Sequence, residues 1–141
     1  IGAPNERSQV EALFEAGGES ASALVDLVGQ VTIGQLMAVI SEADLVLAND
    51  SAPLHLAVGL DRPCVGLFGP TDPARVGPYR RPEAGVRRHV PQRGERGGNY
   101  RAGRLGDELM RMISVKDVLE RIEAVFETAD PPPEALRETR A

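Results

Sequence analysis

The chain has 141 residues, 42% of them hydrophobic, which is enough for one domain with a sizeable core. A single cysteine excludes an internal disulfide, and with two distant histidines it argues against a zinc site, so no metal is expected. An aromatic content of 4% argues against nucleic acid as a partner, and no apolar run approaches the roughly 20 residues of a membrane span.

The net charge of −5 is unevenly distributed along the chain. Between Arg75 and Arg104, nine arginines stand against Glu83 and Glu95, a balance of +7 that leaves −12 for the remaining residues. A basic, glycine-rich loop on an acidic body predicts that the loop meets an anionic partner.

The chain begins with a turn and a helix. Its first five residues are typical of the last residue of a strand followed by its turn, so we expect the rest of that strand to lie upstream. Asn5 is predicted to cap a helix over residues 6–16, with an apolar face at helical spacing. Gly17 and Gly18 are predicted to end this helix.

A strand and a second helix follow. Residues 24–28, with the sequence LVDLV, are predicted to form a short strand. Thr32 and Gln35 have the spacing of a capping box, which predicts a helix from there to about Ser41.

The central stretch is predicted to fold as strand, helix and strand. Residues 44–48 and 64–68 are short apolar runs, and Pro53 stands where a first helical turn tolerates proline. Such a crossover implies parallel strands in a right-handed unit. Ligands bind beyond the carboxyl ends of parallel strands, so the polar turns at 49–52 and 69–73 lie where a ligand site is expected.

The last part of the chain contains a long loop and one clear helix. Residues 76–106 hold seven glycines and three prolines and are predicted to be a loop. A helical stretch begins at Asp107, and a capping box at Ser114 starts a helix predicted to reach Phe126. Residues 129–141 are predicted to be a proline-rich mobile tail.

This order of elements predicts a three-layer α/β domain with a parallel sheet. We expect a single lobe over residues 1–128, with the basic glycine-rich loop at about 80–106.

The turn before the central helix is the first candidate site. Asp50, Ser51 and Ala52 precede Pro53, and N–H groups at a helix N-terminus bind phosphate. On spacing alone, an ordinary N-cap explains Ser51 more simply. His55 faces the same strand ends if its neighbours face the sheet, although a lone helical histidine is more often structural.

The second turn offers Thr71 as a neutral donor and Gly69 for close approach of the backbone to a ligand. A tight structural turn is the alternative. Cys64 lies in an apolar strand and is predicted to be a core residue. The fingerprints of a P-loop, of a dinucleotide-binding turn and of a nucleophile elbow are absent from the sequence.

Two motifs at fixed separation resemble glycosyltransferase family 9, the heptosyltransferases of lipopolysaccharide inner-core synthesis. The family has a D-[ST]-G-x-x-H-L-x-A-A block, then a strand ending in [FY]-G-P-T-x-P, then G-x-Y. The matching residues here are Asp50, Ser51, His55, Leu56, Ala57, Phe68, Gly69, Pro70, Thr71, Pro73, Gly77 and Tyr79. The resemblance implies a Rossmann-like parallel sheet that forms the C-terminal, donor-binding half of a GT-B fold, truncated at its first strand.

The resemblance also implies roles for individual residues. Those implied to surround the sugar diphosphate of the donor are Asp50, Ser51, Ala52 and His55. Glu6 would reach the ribose and Val31 would line the adenine pocket. Thr71, beside Gly69, would lie near the diphosphate.

The implied reaction transfers heptose from ADP-heptose to the lipopolysaccharide core, with inversion at the anomeric carbon. The catalytic base is expected in an N-terminal lobe, and no cofactor is expected besides the nucleotide-sugar substrate. Arg75 and Arg80 are candidates for stabilising charge on the leaving diphosphate. The rest of the basic loop is a candidate to meet the anionic lipid A–core acceptor. The expected location is cytoplasmic, with peripheral contact at the inner face of the inner membrane.

The sequence departs from the family pattern at Ala52, where glycine is usual. A Cβ there would obstruct a ligand or strain the backbone if either requires glycine. Two alternatives therefore stay open: another GT-B nucleotide-sugar enzyme such as an epimerase, and a non-catalytic nucleotide-binding or interaction module. The paired motifs disfavour the epimerase.

Overall fold

The computed structural model describes residues 1–88 and 104–128. The chain divides into two compact units, Ile1–Val39 and Ile40–Ala141. The predictions made for residues 89–103 of the basic loop and for the tail at 129–141 lie outside the described residues.

The first unit begins with a 3-10 turn at Pro4–Glu6 that leads into helix α1, Arg7–Gly17. The predicted helix and its end at a glycine are confirmed. The predicted cap is wrong, because Asn5 lies inside the 3-10 turn and no side chain caps α1. A further 3-10 segment, Gly18–Ala23, follows the helix.

The strand predicted at residues 24–28 is wrong, since in the described part of the chain this segment pairs with no strand. Asp26 interrupts the apolar run, and its carboxylate accepts a hydrogen bond from the backbone N–H of Val28 at 2.9 Å. The same carboxylate pairs with Arg7. A local bond of this kind competes with a strand ladder. The Val28 amide and the Arg7 guanidinium also lower the pKa of Asp26.

Helix α2 covers Ile33–Ser41, as predicted. Its capping box is confirmed: Thr32 N donates to Gln35 Oε1 at 2.9 Å, and Gln35 N donates to Thr32 Oγ1 at 3.3 Å. Ile40 is buried near its C-terminal end, whereas Ile33 is exposed.

The second unit contains the predicted strand–helix–strand. Strand β1 is Val46–Asn49, helix α3 is Ala52–Gly59 and strand β2 is Cys64–Leu67. The two strands are parallel, as predicted. A short helix α4, Pro73–Val76, follows β2. Cys64 is buried, which confirms it as a core residue, and this burial raises the pKa of its thiol.

A third strand lies inside the predicted loop at 76–106, so that prediction is wrong in part. After a 3-10 turn at Pro82–Ala84, strand β3, Gly85–Val86, pairs in parallel with β2 and gives the order β1-β2-β3. Two residues are too few to show a period. Helices α5, Arg104–Arg111, and α6, Val115–Thr128, complete the described chain.

Helices cover both faces of β2. Gly66 is so close to α3 that an added Cβ would lie 2.7 Å from the side chain of Leu54. Val65, the preceding residue, packs in a buried cluster with Val125 and Ile122 of α6. Because successive strand residues point to opposite faces, α3 and α6 lie on opposite sides of the sheet. The second unit is therefore a three-layer α/β arrangement around a parallel sheet, which is consistent with the Rossmann-like prediction.

Candidate functional site

The three strands end at the same level. Asn49 lies opposite Leu67, and Leu67 lies opposite Val86. Phe68 N then donates to Val86 O at 2.9 Å and continues the pairing by one residue. Residues that follow each strand therefore gather at one edge, which is where parallel sheets bind ligands.

Asp50 and His55 meet at this edge. Asp50 follows β1, and His55 lies one turn into α3, with its Nε2 atom 3.5 Å from Asp50 Oδ1. Leu54 and Ala57 are buried on the sheet side of the helix. His55, which directly follows Leu54, is exposed at the surface. The imidazole is 48% exposed and the carboxylate 18% exposed. The structure thus brings two predicted site residues together in an accessible place.

Ser51 and Ala52 form the entrance to α3. Ser51 occupies the N-cap position, but its hydroxyl donates to Asn49 O at 3.3 Å and does not cap the helix. Ala52 is exposed at the first helical residue. Within the described chain, positive φ angles outside glycine occur at Asp61 and Arg80. The backbone at Ala52 therefore does not require the glycine that is usual in the family.

The turn after β2 is tightly packed. A Cβ on Gly69 would lie 2.8 Å from the side chain of Met110 in α5. The Met110 side chain therefore occupies the position that a side chain at residue 69 would take, and approach of a ligand to this backbone stays a prediction. Thr71 is also buried, at 7% exposure.

Arg87 also lies at this edge of the sheet, although no sequence motif pointed to it. It follows β3 at the same edge, and its Nη1 donates to Asp72 Oδ1 at 3.1 Å. The same oxygen accepts from Ala74 N and caps α4. Arg87 thereby ties the end of β3 to the turn after β2. In the sequence, Arg87 simply follows two small apolar residues. The spacing of residues does not distinguish it from the other arginines of the basic loop.

Arg75 and Arg80 lie on the surface after β2. Arg75 is exposed in the last turn of α4. Arg80 is exposed, has a φ of +60°, and places its guanidinium carbon 5.2 Å from the centre of the Tyr79 ring. Both have the exposure that a charge-stabilising role requires.

Glu6 and Val31 belong to the first unit. Glu6 Oε2 accepts from Ala3 N at 2.6 Å and lies over Gly2, where an added Cβ would be 2.8 Å from this oxygen. Gly29 N donates to Gly2 O at 2.9 Å. The turn that carries Glu6 is thus bonded to the turn that leads to Val31.

Among the described residues, no three histidine, cysteine, aspartate or glutamate side chains are grouped to hold a metal ion. No helix in the same residues is long and apolar enough to cross a membrane.

Comparison with known proteins places these motifs in a family. The chain is 33% identical over 78 residues to lipopolysaccharide heptosyltransferase 1 of Salmonella typhimurium, covering 55% of this chain and 23% of that protein. It is 41% identical over 54 residues to the lipopolysaccharide core heptosyltransferase OpsX of Haemophilus influenzae, covering 38% and 16%. It is 31% identical over 104 residues to lipopolysaccharide heptosyltransferase 3 of Escherichia coli, covering 71% and 28%.

The chain therefore spans less than a third of the length of these curated relatives. No solved structure matches the chain. The sequence profile of glycosyltransferase family 9 (heptosyltransferase) matches residues 1–102, which include the Asp50–His55 block, the turn after β2 and the Gly2–Glu6 turn. The chain belongs to glycosyltransferase family 9.

Proposed function

We propose that this chain is the donor-binding part of a glycosyltransferase that transfers heptose from ADP-heptose to the lipopolysaccharide inner core. The contact between Asp50 and His55 at the carboxyl end of β1 carries this proposal. It joins two of the polar residues of the family's first motif at the edge where a parallel sheet holds its ligand. The names of the relatives support heptose and lipopolysaccharide as the chemistry involved.

Asp50 and His55 hold the sugar-diphosphate end of the donor in this proposal. The carboxylate fixes the imidazole through Nε2, which leaves Nδ1 and the second carboxylate oxygen for the ligand. The first N–H groups of α3 lie beside them and favour a phosphate. Glu6 would receive the ribose hydroxyls and Val31 the adenine, on two turns that are bonded to each other.

The reaction proceeds by attack of an acceptor hydroxyl on the anomeric carbon, with inversion. A carboxylate outside this chain takes the hydroxyl proton as the new glycosidic bond forms. The bond from the anomeric carbon to the diphosphate breaks, and the nucleoside diphosphate leaves with the electron pair. Backbone N–H groups, together with Arg75 and Arg80, would stabilise that negative charge.

The acceptor in this proposal is the anionic lipid A–core. Transfer would occur in the cytoplasm, with peripheral contact at the inner face of the inner membrane. We propose no cofactor besides the nucleotide-sugar substrate.

Calorimetric titration of the chain with ADP, ADP-heptose and UDP tests the donor site. We expect saturable binding of both adenine compounds and weaker binding of UDP. Asp50→Asn should weaken ADP-heptose binding about tenfold or more, as expected for loss of a charge-assisted contact. Asp107→Asn is the matched control, because it removes an exposed carboxylate from α5. Equal affinity of wild type and Asp50→Asn would contradict the proposed site.

A further inference from the structure

A pocket of about 390 Å³ lies between the end of β3 and helix α6. Its walls include three arginines, Arg87 and Arg88 after the strand and Arg121 on the helix, together with Asp117 and Glu120. It is open to solvent and lies beyond the carboxyl end of β3. The family's sequence motifs do not include any of these five residues.

Four of the five charged groups already have an ion-pair partner inside the structure. Arg88 pairs with Asp117 through two hydrogen bonds, of which the one from Nε measures 2.7 Å. Asp117 also accepts from Ser114 N at 2.9 Å, and its side chain is only 8% exposed. Glu120 Oε1 lies 3.7 Å from Nζ of Lys116, which is one turn earlier in the helix. The acidic groups of the pocket therefore have partners of their own.

Arg87 and Arg121 keep hydrogen-bond donors that the described residues do not use, although Nη1 of Arg87 donates to Asp72. The Arg87 side chain is 10% exposed, and its buried Nε has no hydrogen-bond partner among the described residues. A buried donor without an acceptor costs free energy that an incoming oxygen can recover. Arg121 is half-buried at the pocket wall and forms no ion pair within residues 1–88 and 104–128.

We propose that this pocket, between Arg87 and Arg121, binds a phosphate group that does not belong to the donor nucleotide. Guanidinium groups match phosphate oxygens in shape and charge, and two of them line this pocket. The ends of β1 and β3 are two strand spacings apart, about 10 Å. Asp50 and the pocket therefore lie at opposite margins of the sheet edge, so the pocket is a second anion site, independent of the proposed donor site.

Titration with inorganic phosphate, followed by amide NMR at constant ionic strength, tests this site. We expect saturable shifts concentrated at residues 85–88 and 117–124. Arg121→Gln should weaken phosphate binding about tenfold or more, because it removes one charge-assisted contact. Arg111→Gln, an exposed arginine on α5, should leave it unchanged and serves as the matched control. Thermal unfolding of each variant establishes that it is folded.

A second arm distinguishes the source of the phosphate. Methyl phosphate, a simple monoester, should shift the same amides, and Asp50→Asn should still bind it. ADP at saturation should leave these amides and phosphate affinity unchanged. Displacement of phosphate by ADP would overturn the proposal, because the pocket would then hold the donor's diphosphate. Absence of phosphate binding would overturn the proposal as well. So would an equal loss of phosphate affinity in Arg121→Gln and Arg111→Gln. Failure of ADP to bind would count against the donor site alone.

Discussion

Three glycines around the second strand show how close packing constrains single residues. A Cβ on Gly66 would collide with Leu54 and Phe68, one on Gly69 with Met110, and one on Gly77 with the carbonyl of Pro73. Two of these glycines belong to the family motifs. The small size of Gly69 is therefore explained by the packing of α5 against it, and that of Gly77 by the Pro73 carbonyl at the start of α4.

Gly66→Ala should destabilise the chain by about 1–3 kcal/mol, because the added methyl has no room between Leu54 and Phe68. Gly59→Ala is the control: its Cβ would meet nothing within 4 Å, and alanine favours a helix. Urea unfolding followed by circular dichroism measures both variants. Equal stability of the two would show that the strand relaxes to accept the methyl group.

Helix α6 is fixed to the sheet by an apolar face and by one ion pair. Val125 and Ile122 pack on β2 and β3, while Arg88, just after β3, pairs with Asp117 in the first turn of the helix. Asp117 also forms the predicted capping box with Ser114, since Asp117 N donates to Ser114 Oγ at 3.2 Å. The Arg88 guanidinium and the Ser114 amide hold the pKa of Asp117 well below its usual range.

Asp117→Asn should lower stability at neutral pH, and the difference from wild type should narrow as the pH falls below about 4. A carboxylate with a lowered folded-state pKa stabilises the fold above its unfolded pKa, and this contribution disappears as the group becomes protonated. Urea midpoints at pH 7, 5, 4 and 3 measure the difference. Glu123→Gln, an exposed carboxylate on the same helix, should show no such convergence. A constant difference down to pH 3 would refute the assignment.

The ion pairs of Arg81, Arg87 and Arg88 change the interpretation of the basic loop. Their partners are Asp61, Asp72 and Asp117, all outside the loop. Part of the +7 charge of the loop is therefore neutralised by ion pairs inside the second unit. Contact with an anionic acceptor or a membrane surface stays a prediction for the arginines beyond residue 88.

In the chain as a whole, stability rests on a small core in the second unit. Phe68, Ile40, Leu54 and Val65 are the largest side chains there that are fully buried. Phe68 lies at the end of β2, directly before the turn that carries Thr71. The residue that anchors the core therefore also fixes the start of the turn that carries Thr71.

Phe68→Ala should destabilise the chain by about 3–5 kcal/mol, because it removes a buried ring and leaves a cavity. Phe126→Ala removes the same ring from a half-exposed position and should cost about 1 kcal/mol or less. Chemical unfolding of both variants provides the comparison. A similar cost for the two would show that Phe68 is not the centre of the core.

The sequence by itself determined the elements whose signals are local. The helices around residues 6–16 and 33–41, the two parallel strands and the capping boxes at Thr32 and Ser114 follow from short-range spacing and side-chain chemistry. The motif block from Asp50 to His55 also identified the family, because its residue types and spacing are specific.

Tertiary structure alone decided the remaining features. Strand β3 has two residues and exists because β2 offers free backbone groups beside it. The segment at 24–28 is not a strand because the Asp26 carboxylate bonds its own backbone. Arg87 reaches Asp72 across fifteen residues, a separation that no local pattern encodes. Contacts between distant parts of a chain depend on how its elements pack, so they become visible only in the folded protein.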